Sequence, residues 1–348
     1  MILEDCYWIF PHRVKRGVFM VSFKEIVGHE DIITHFKKSM ERGKVSHAYI
    51  LNGEKDSGKK LIAKVVAKTL QCELGETDPC EECHSCIQVE SGNQPDIIWV
   101  THEKPNVISV DEIREQINND IGIRPYSSRY KIYIIADAQL MNQQAQNAIL
   151  KTIEEPPEYA IIMLLTTNID KFLPTILSRC IILNCKPIKE LDMIDYLINV
   201  VGVDEKKAYF CTNFAMGNMG KAVRLAISED YNNLKNDCTH ILKNIYDMSI
   251  EDIIDQIKKI NKYKLEINDF IDMMIMWYRD ILMLKISGNP NKLLFKEEYI
   301  YIKKQASRIS YAGVDQIIEA LEKVKTRLDA NVNFDITMEL MLLTIKEN

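Results

Sequence analysis

The chain has 348 residues, 47% of them hydrophobic and 27% charged, with a formal net charge of −6. That length allows two or three domains with a sizeable core, and the composition is that of an ordinary soluble globular protein. No apolar run approaches the roughly 18 residues a membrane span needs, and the acidic balance argues against a broad nucleic-acid-binding face of the chain's own.

Met1 to Phe19 holds Tyr7-Trp8-Ile9-Phe10-Pro11 and then His12, Arg13, Lys15 and Arg16. The charges stand at the wrong end for a signal peptide. The segment reads either as an irregular extension or as the product of an upstream start codon, with translation normally beginning at Met20. Lys15-Arg16-Gly17 can be encoded by a purine-rich ribosome-binding sequence at a suitable distance from Met20. Four of the nine cysteines fall between Cys72 and Cys86 and the rest are scattered, so a secreted disulfide framework is not expected. The compartment reads as the reducing cytosol.

From Phe23 the chain enters a helical pattern of Ile32, Ile33, Phe36 and Met40. Ala48-Tyr49-Ile50-Leu51 is a buried strand, with His47 at its start as a structural rather than a catalytic histidine. Gly53-Glu54-Lys55-Asp56-Ser57-Gly58-Lys59-Lys60 follows, and then a helical pattern from Leu61 to Leu70. Strand, glycine loop and helix form the context of a phosphate-binding loop, G-x-x-x-x-G-K and then Ser or Thr. Gly53, Ser57, Gly58 and Lys59 keep the elements that cradle phosphate oxygens. Lys60 stands where the hydroxyl belongs and cannot offer a ligand to Mg²⁺. The loop could still hold ATP or phosphate without turning it over.

Cys72, Cys80, Cys83 and Cys86 then fall in two C-x-x-C steps with a fourth cysteine nearby, a pattern suited to a tetrahedral Zn²⁺. Four protein ligands leave no open position, so this zinc would be structural. His84 replacing one thiolate, free or redox-active cysteines, or an iron–sulfur centre are the alternatives.

Asp96–Val100 reads as the next strand, and Ser109-x-x-Glu112 as a capping box opening a helix over Val110–Asn119. Lys131–Asp137 is a strand buried on both faces that ends in an acid. In a nucleoside triphosphatase a glutamate after that acid polarises the attacking water; here Ala138 follows. Gln146–Glu155 is a helix stopped by Pro156-Pro157. Ala160–Asn168 is a strand with a polar tip, and Ser178-Arg179-Cys180 leads into a short strand, Ile181-Ile182-Leu183. Alternating strands and helices predict a parallel sheet with right-handed crossovers.

The loop, the four cysteines, Asn147 through Pro157, Thr166-Thr167-Asn168 and Ser178-Arg179-Cys180 together resemble the clamp-loader branch of the AAA+ ATPases. The resemblance is strong over Phe23–Pro187 and weaker to the C-terminus. It implies an α/β AAA+ domain over residues 20–187 with an inserted zinc module at 72–86. A three-helix lid over 188–229 and an all-α collar over 230–348 would follow. Within that branch the ATP-hydrolysing gamma/tau subunits keep the loop hydroxyl and an Asp-Glu pair, whereas Lys60 and Ala138 are more similar to the delta-prime type. The resemblance therefore implies a subunit without its own ATPase activity in the DNA polymerase III clamp loader. Its partners would be gamma/tau, delta and, through the complex, the sliding clamp and primed DNA. Arg179 would project in trans into a neighbour's ATP site, where a guanidinium stabilises charge at the transferred phosphoryl group, an effect of about 10³–10⁵ in rate. Outside that motif Arg179 reads as a surface ion pair.

In the lid region, Glu190–Val200, Asp204–Thr212 and a third pattern from Asn218 are helical, and Lys221 or Arg224 lies where the family places a phosphate sensor. From about Asp230 the pattern is all helical, with Phe270, Met273, Met274, Trp277, Tyr278, Ile281 and Leu282 as a core stripe. Trp277–Asp280 and Asn331–Phe334 resemble the family's collar. Two competing functions are an active AAA+ ATPase of the gamma/tau kind, which Lys60 and Ala138 oppose, and a zinc-dependent single-strand binder. The acidic balance, and zinc steps not interleaved with aromatics, oppose the latter.

Overall fold

A computed structural model describes residues 14–15, 18–19, 21–330 and 332–348. The reading of residues 1–19 as an extension or an upstream start lies largely outside the described residues, as does Asn331. What is described before Ser22 includes a short antiparallel pair, β1 (Val14–Lys15) with β2 (Val18–Phe19). The chain forms two compact units, one reaching to Ala226 and one spanning Ile227–Asn348.

The first unit is built on a five-stranded, wholly parallel sheet. Its strands are β3 (Ala48–Asn52), β4 (Ile97–Val100), β5 (Lys131–Ile135), β6 (Ala160–Thr166) and β7 (Ile181–Asn184), in the order β4-β5-β6-β3-β7. Every residue of β5 and β6 is buried, which is why both read as unbroken apolar runs rather than as alternation. On one face Ala48, Ile50, Tyr133, Ile135, Ile162 and Leu164 pack against Ile113, Ile117, Ile149 and Ile176 of the following helices. The other face is closed partly by Phe36 of the helix Glu30–Glu41, whose ring lies 4.8 Å from that of Tyr49. Each fully buried side chain of this size contributes about 1.5–3 kcal/mol through apolar burial. His47 Nδ1 lies 3.1 Å from the Ala160 carbonyl oxygen and pins the start of β3 to β6, a structural role.

Ser109 and Glu112 form the expected capping box. The helix it opens is α-helical only over Val110–Ile113 and then widens to a π-helix over Arg114–Asn118. The helix ended by Pro156-Pro157 runs Gln143–Glu154 and is capped by Asn142, whose side chain accepts from Ala145 N–H at 2.8 Å. After β7 come three helical segments: Glu190–Tyr196 continued as a π-helix to Val201, then Glu205–Ala215, then Met219–Ile227.

The second unit is helical. Its long helix Ile267–Ser287 buries Phe270, Met273, Met274, Trp277, Tyr278 and Ile281, so the methionine and aromatic stripe is core. Trp277 Nε1–H donates to Gln305 Oε1 at 2.8 Å, and Gln305 Nε2 donates to the Leu242 carbonyl at 2.6 Å. One buried amide thus ties three helices together, and each of its bonds is costly to leave unmade. Among the described residues no helix is long and apolar enough to cross a membrane.

Candidate functional site: a closed phosphate loop, a thiol cluster and a surface arginine

Because all five strands run the same way, the loop after β3, Asp137 after β5, Thr167 and Asn168 after β6 and Cys185 after β7 meet at one edge of the sheet. That edge is where open α/β sheets bind ligands. Gly53 N–H donates to the Thr166 carbonyl at 3.1 Å and Cys185 N–H to the Asn52 carbonyl at 2.7 Å, which fixes the root of the loop. Gly58 caps the helix Lys59–Gln71 in the left-handed region (φ +87°), the conformation glycine adopts without strain. Asp56, at φ +63°, adopts the same region without that freedom.

The loop is occupied by its own side chains. Lys59 Nζ donates to the carbonyls of Gly53 (2.7 Å) and Glu54 and lies 3.4 Å from Ser57 Oγ. Burial lowers the Lys59 pKa, partly offset by Cys185, Asp137 and Asp56 around it. Lys60 is the second residue of the helix, at the position of the missing hydroxyl. Asp137 is exposed, and Ala138 after it is fully buried in the hydrophobic core. No carboxylate stands at that position to activate a water.

The helix Met219–Ile227 and the turn before it close over the loop. Asn218 Nδ2 donates to the Lys55 carbonyl at 2.7 Å and lies 3.4 Å from Glu54 Oε2. Gly220 N–H donates to the Asp56 carbonyl at 3.2 Å, and a Cβ on Gly220 would come within 2.3 Å of that oxygen, so no larger residue fits. Arg224 Nη1 pairs with Asp56 Oδ2 at 2.8 Å. The cation expected to sense phosphate therefore meets a carboxylate from the loop itself. Lys221 lies with Nζ 4.7 Å from the centre of the Phe214 ring. The sequence shows nothing of these contacts, since Asn218 and Gly220 stand some 160 residues from the loop.

His29 supports the loop from below, with Nε2 3.0 Å from the Ser57 carbonyl oxygen. Its Nδ1 and Nε2 of His35 are buried with no hydrogen-bond partner among the described residues. Burial lowers the pKa of both from the ordinary 6.5. The unfolded chain therefore binds these protons more readily, so stability is full above pH 6.5 and falls as pH drops towards the folded values. Denaturant unfolding of the protein is expected to show a falling midpoint between about pH 6.5 and 5. The double variant His29→Gln/His35→Gln should flatten that slope; an unchanged slope would exclude these two groups.

The four cysteines converge. Cys72 caps the end of Lys59–Gln71, and Cys83 caps the start of the helix His84–Glu90, which carries Cys86. The four Sγ atoms lie within 4.8 Å of one another. Backbone N–H groups of Cys80, Cys83 and Cys86 point at the sulfurs of Cys72, Cys80 and Cys83 at 3.4–3.5 Å. Tetrahedral Zn–S bonds of about 2.3 Å put sulfurs roughly 3.8 Å apart, and Cys80 and Cys86 Sγ are 4.0 Å apart. The donor set fits a four-coordinate metal ion, and exposed His84 is not part of it. Burial raises the Cys80 thiol, but N–H groups of Glu82 and Cys83 and the neighbouring thiols outweigh it and bring it down to about 7. Burial raises the Cys72 and Cys86 thiols instead, so of these shifts that at Cys80 alone favours the thiolate a metal needs.

Arg179 follows the short helix Pro174–Leu177, and its side chain is 40% exposed. Its Nε lies 3.0 Å from Glu154 Oε1 in an ion pair, and Nη1 donates to the Thr175 carbonyl (3.0 Å) and to Ser178 Oγ (3.1 Å).

The sequence family described as "DNA polymerase III, delta subunit" matches residues 28–189, and "DNA polymerase III, delta subunit, C terminal" matches residues 228–347. The chain is 30% identical to the DNA polymerase III subunit gamma of Buchnera aphidicola, over 92% of this chain and 94% of that protein. It is 31% identical to the DNA polymerase III subunit delta' of Bacillus subtilis, over 89% of this chain and 93% of that protein. Among solved structures, a gamma subunit-related protein of Thermotoga maritima aligns at a TM-score of 0.41 with 22% identity, covering 91% of this chain and 99% of that one. With relatives at this identity along nearly their whole length, the chain belongs to the delta, gamma and tau family of DNA polymerase III clamp-loader subunits.

Proposed function

We propose that this chain is the delta-prime member of a bacterial clamp loader, a subunit that does not hydrolyse ATP and acts on the ATP site of a neighbour. The observation that carries this reading is Ala138, fully buried in the core where an ATPase of this fold needs a solvent-facing glutamate. Lys60 in place of the Mg²⁺-binding hydroxyl supports it independently. In this reading residues 188–229 serve as the lid and 230–348 as the oligomerisation collar. The four thiolates of Cys72, Cys80, Cys83 and Cys86 hold a structural zinc, and Arg179 reaches a gamma/tau nucleotide in trans. Gamma/tau and delta are the direct partners, and the sliding clamp and primed DNA are engaged through the complex, at the replisome in the cytoplasm.

Catalysis of phosphoryl transfer is mostly positioning and charge stabilisation. Arg179 supplies permanent charge and fixed forked donors for that purpose. The competing reading, an ATP-hydrolysing gamma-like subunit, is favoured by the retained Gly53, Gly58 and Lys59 and by the 30% identity to a protein named gamma. Turnover by the purified chain separates the two. With ATP, Mg²⁺ and primed DNA, release of phosphate is expected to stay at the background of a Lys59→Ala control. DNA-stimulated release above that control would overturn the delta-prime reading.

A further inference from the structure

Glu154 is the last residue of the helix Gln143–Glu154. A carboxylate there faces the negative end of the helix dipole, so it does nothing for its own helix. Its partner among the described residues is Arg179, 25 positions on, at 3.0 Å. The pair is 40% and 45% exposed, and an ion pair that wet adds little to stability. Yet the contacts on Arg179 are selective. Glu154 Oε1 stands 3.0 Å from Nε as its ion-pair partner, while the Thr175 carbonyl and Ser178 Oγ accept from Nη1. The carboxylate and the turn thus engage two of the three guanidinium nitrogens, Nε and Nη1. The third, Nη2, has no partner among the described residues.

We infer that Glu154 is a positioning residue for Arg179: its ion pair at Nε, with the turn at Nη1, restrains the guanidinium so that Nη2 stays available to a phosphoryl oxygen of a neighbouring subunit's nucleotide. This rests on the trans role proposed for Arg179. Arginine carries large rotamer freedom, and a planar fork fixed beforehand loses less of it on engagement. Because Glu154 and the phosphoryl oxygen use different donors, the Nε contact persists while Nη2 engages. Glu154 thus restrains the guanidinium through Nε and leaves Nη2 to the phosphoryl oxygen. The turn at Thr175 and Ser178 fixes the second direction, so carboxylate and turn together define an orientation that neither sets alone.

The test is a double-mutant cycle in the clamp loader reconstituted with its gamma/tau and delta subunits, following ATP turnover stimulated by the clamp and primed DNA. Arg179→Ala is expected to lower kcat by about tenfold or more, and Glu154→Ala by about three- to tenfold with KM for ATP unchanged. Glu154→Gln keeps an oxygen acceptor for the Nε–H and should recover most of the loss. In the Arg179→Ala background, Glu154→Ala should cost nothing further, because its effect passes through the arginine. If Arg179→Ala slows turnover and Glu154→Ala does not, the positioning role is wrong and the trans role stands. An equal loss from Glu154→Ala with and without Arg179 would also overturn it, showing an effect by another route. If Arg179→Ala itself leaves turnover intact, the trans role fails and the positioning role fails with it.

Discussion

Stripping the metal from the four-cysteine cluster, by a strong chelator or by Cys86→Ser, is expected to unfold the segment between the helices Lys59–Gln71 and His84–Glu90. Residues 73–83 contain no helix and no strand. Ordering each residue of such a segment costs about 1–2 kcal/mol in conformational entropy, so eleven residues cost of the order of 10–20 kcal/mol. Little apolar surface offsets this: Leu74 is 65% exposed, and Glu76, Glu82 and His84 face solvent. A structural Zn²⁺ at four thiolates is worth about 10–16 kcal/mol, the same size as that cost. With zinc at the four thiolates, as proposed, the segment's order depends on the metal. Hydrogen exchange on the purified protein should show protection in 73–83 that vanishes on chelation, together with loss of about one equivalent of zinc. Equal protection in a metal-free protein would end the zinc assignment.

That cluster was legible in the sequence because its ligands are local: two short C-x-x-C steps need almost no knowledge of the fold. The sheet was legible for a related reason. Strands buried on both faces leave unbroken apolar runs, and β3, β5 and β6 each begin within a residue of where those runs begin. The π-helical stretches Arg114–Asn118 and Leu197–Val201 were not, since a widened turn keeps the composition of an α-helix and is set by what packs against it. The closure of the phosphate loop was hidden too. Asp56 with Arg224, and Lys55 with Asn218, pair across more than 160 positions, and a carboxylate inside a glycine loop has no local signal that it meets an arginine. The altered positions Lys60 and Ala138 suggested a loop without hydrolytic chemistry. Only the contacts explain how such a loop remains ordered: Lys59 donates to the Gly53 and Glu54 carbonyls, Asn218 to the Lys55 carbonyl, and Arg224 pairs with the Asp56 carboxylate.

Glu90→Ala is expected to destabilise the first unit by about 3–5 kcal/mol, the usual cost of removing one partner from a buried ion pair. Glu90 lies at the end of the thiol-bearing helix with its side chain 2% exposed, and it receives two lysines from the neighbouring helix. Lys68 Nζ, fully buried, donates to Oε1 at 2.5 Å, and Lys64 Nζ donates to Oε2 at 2.5 Å. Val21 N–H approaches the same Oε1 at 3.4 Å. Without Glu90 the Lys68 ammonium keeps, among the described residues, Glu81 alone as a counter-charge, with Oε1 4.0 Å away and its own pKa raised by burial. A buried ammonium with no close counter-charge must either lose its proton or draw water inward, and both cost free energy. Glu90→Gln should be almost as harmful, since it keeps an acceptor but leaves two lysines uncompensated. Adding Lys68→Met to Glu90→Gln should restore much of the loss, because it removes the stranded charge and keeps the stem's packing. Urea unfolding of the four proteins measures this directly. A loss below about 1 kcal/mol for Glu90→Ala would mean that water already reaches Lys68 and that the pair behaves as a surface one. The same substitution should raise the zinc dissociation constant, because Glu90 anchors the helix that presents Cys86 to the helix that ends at Cys72.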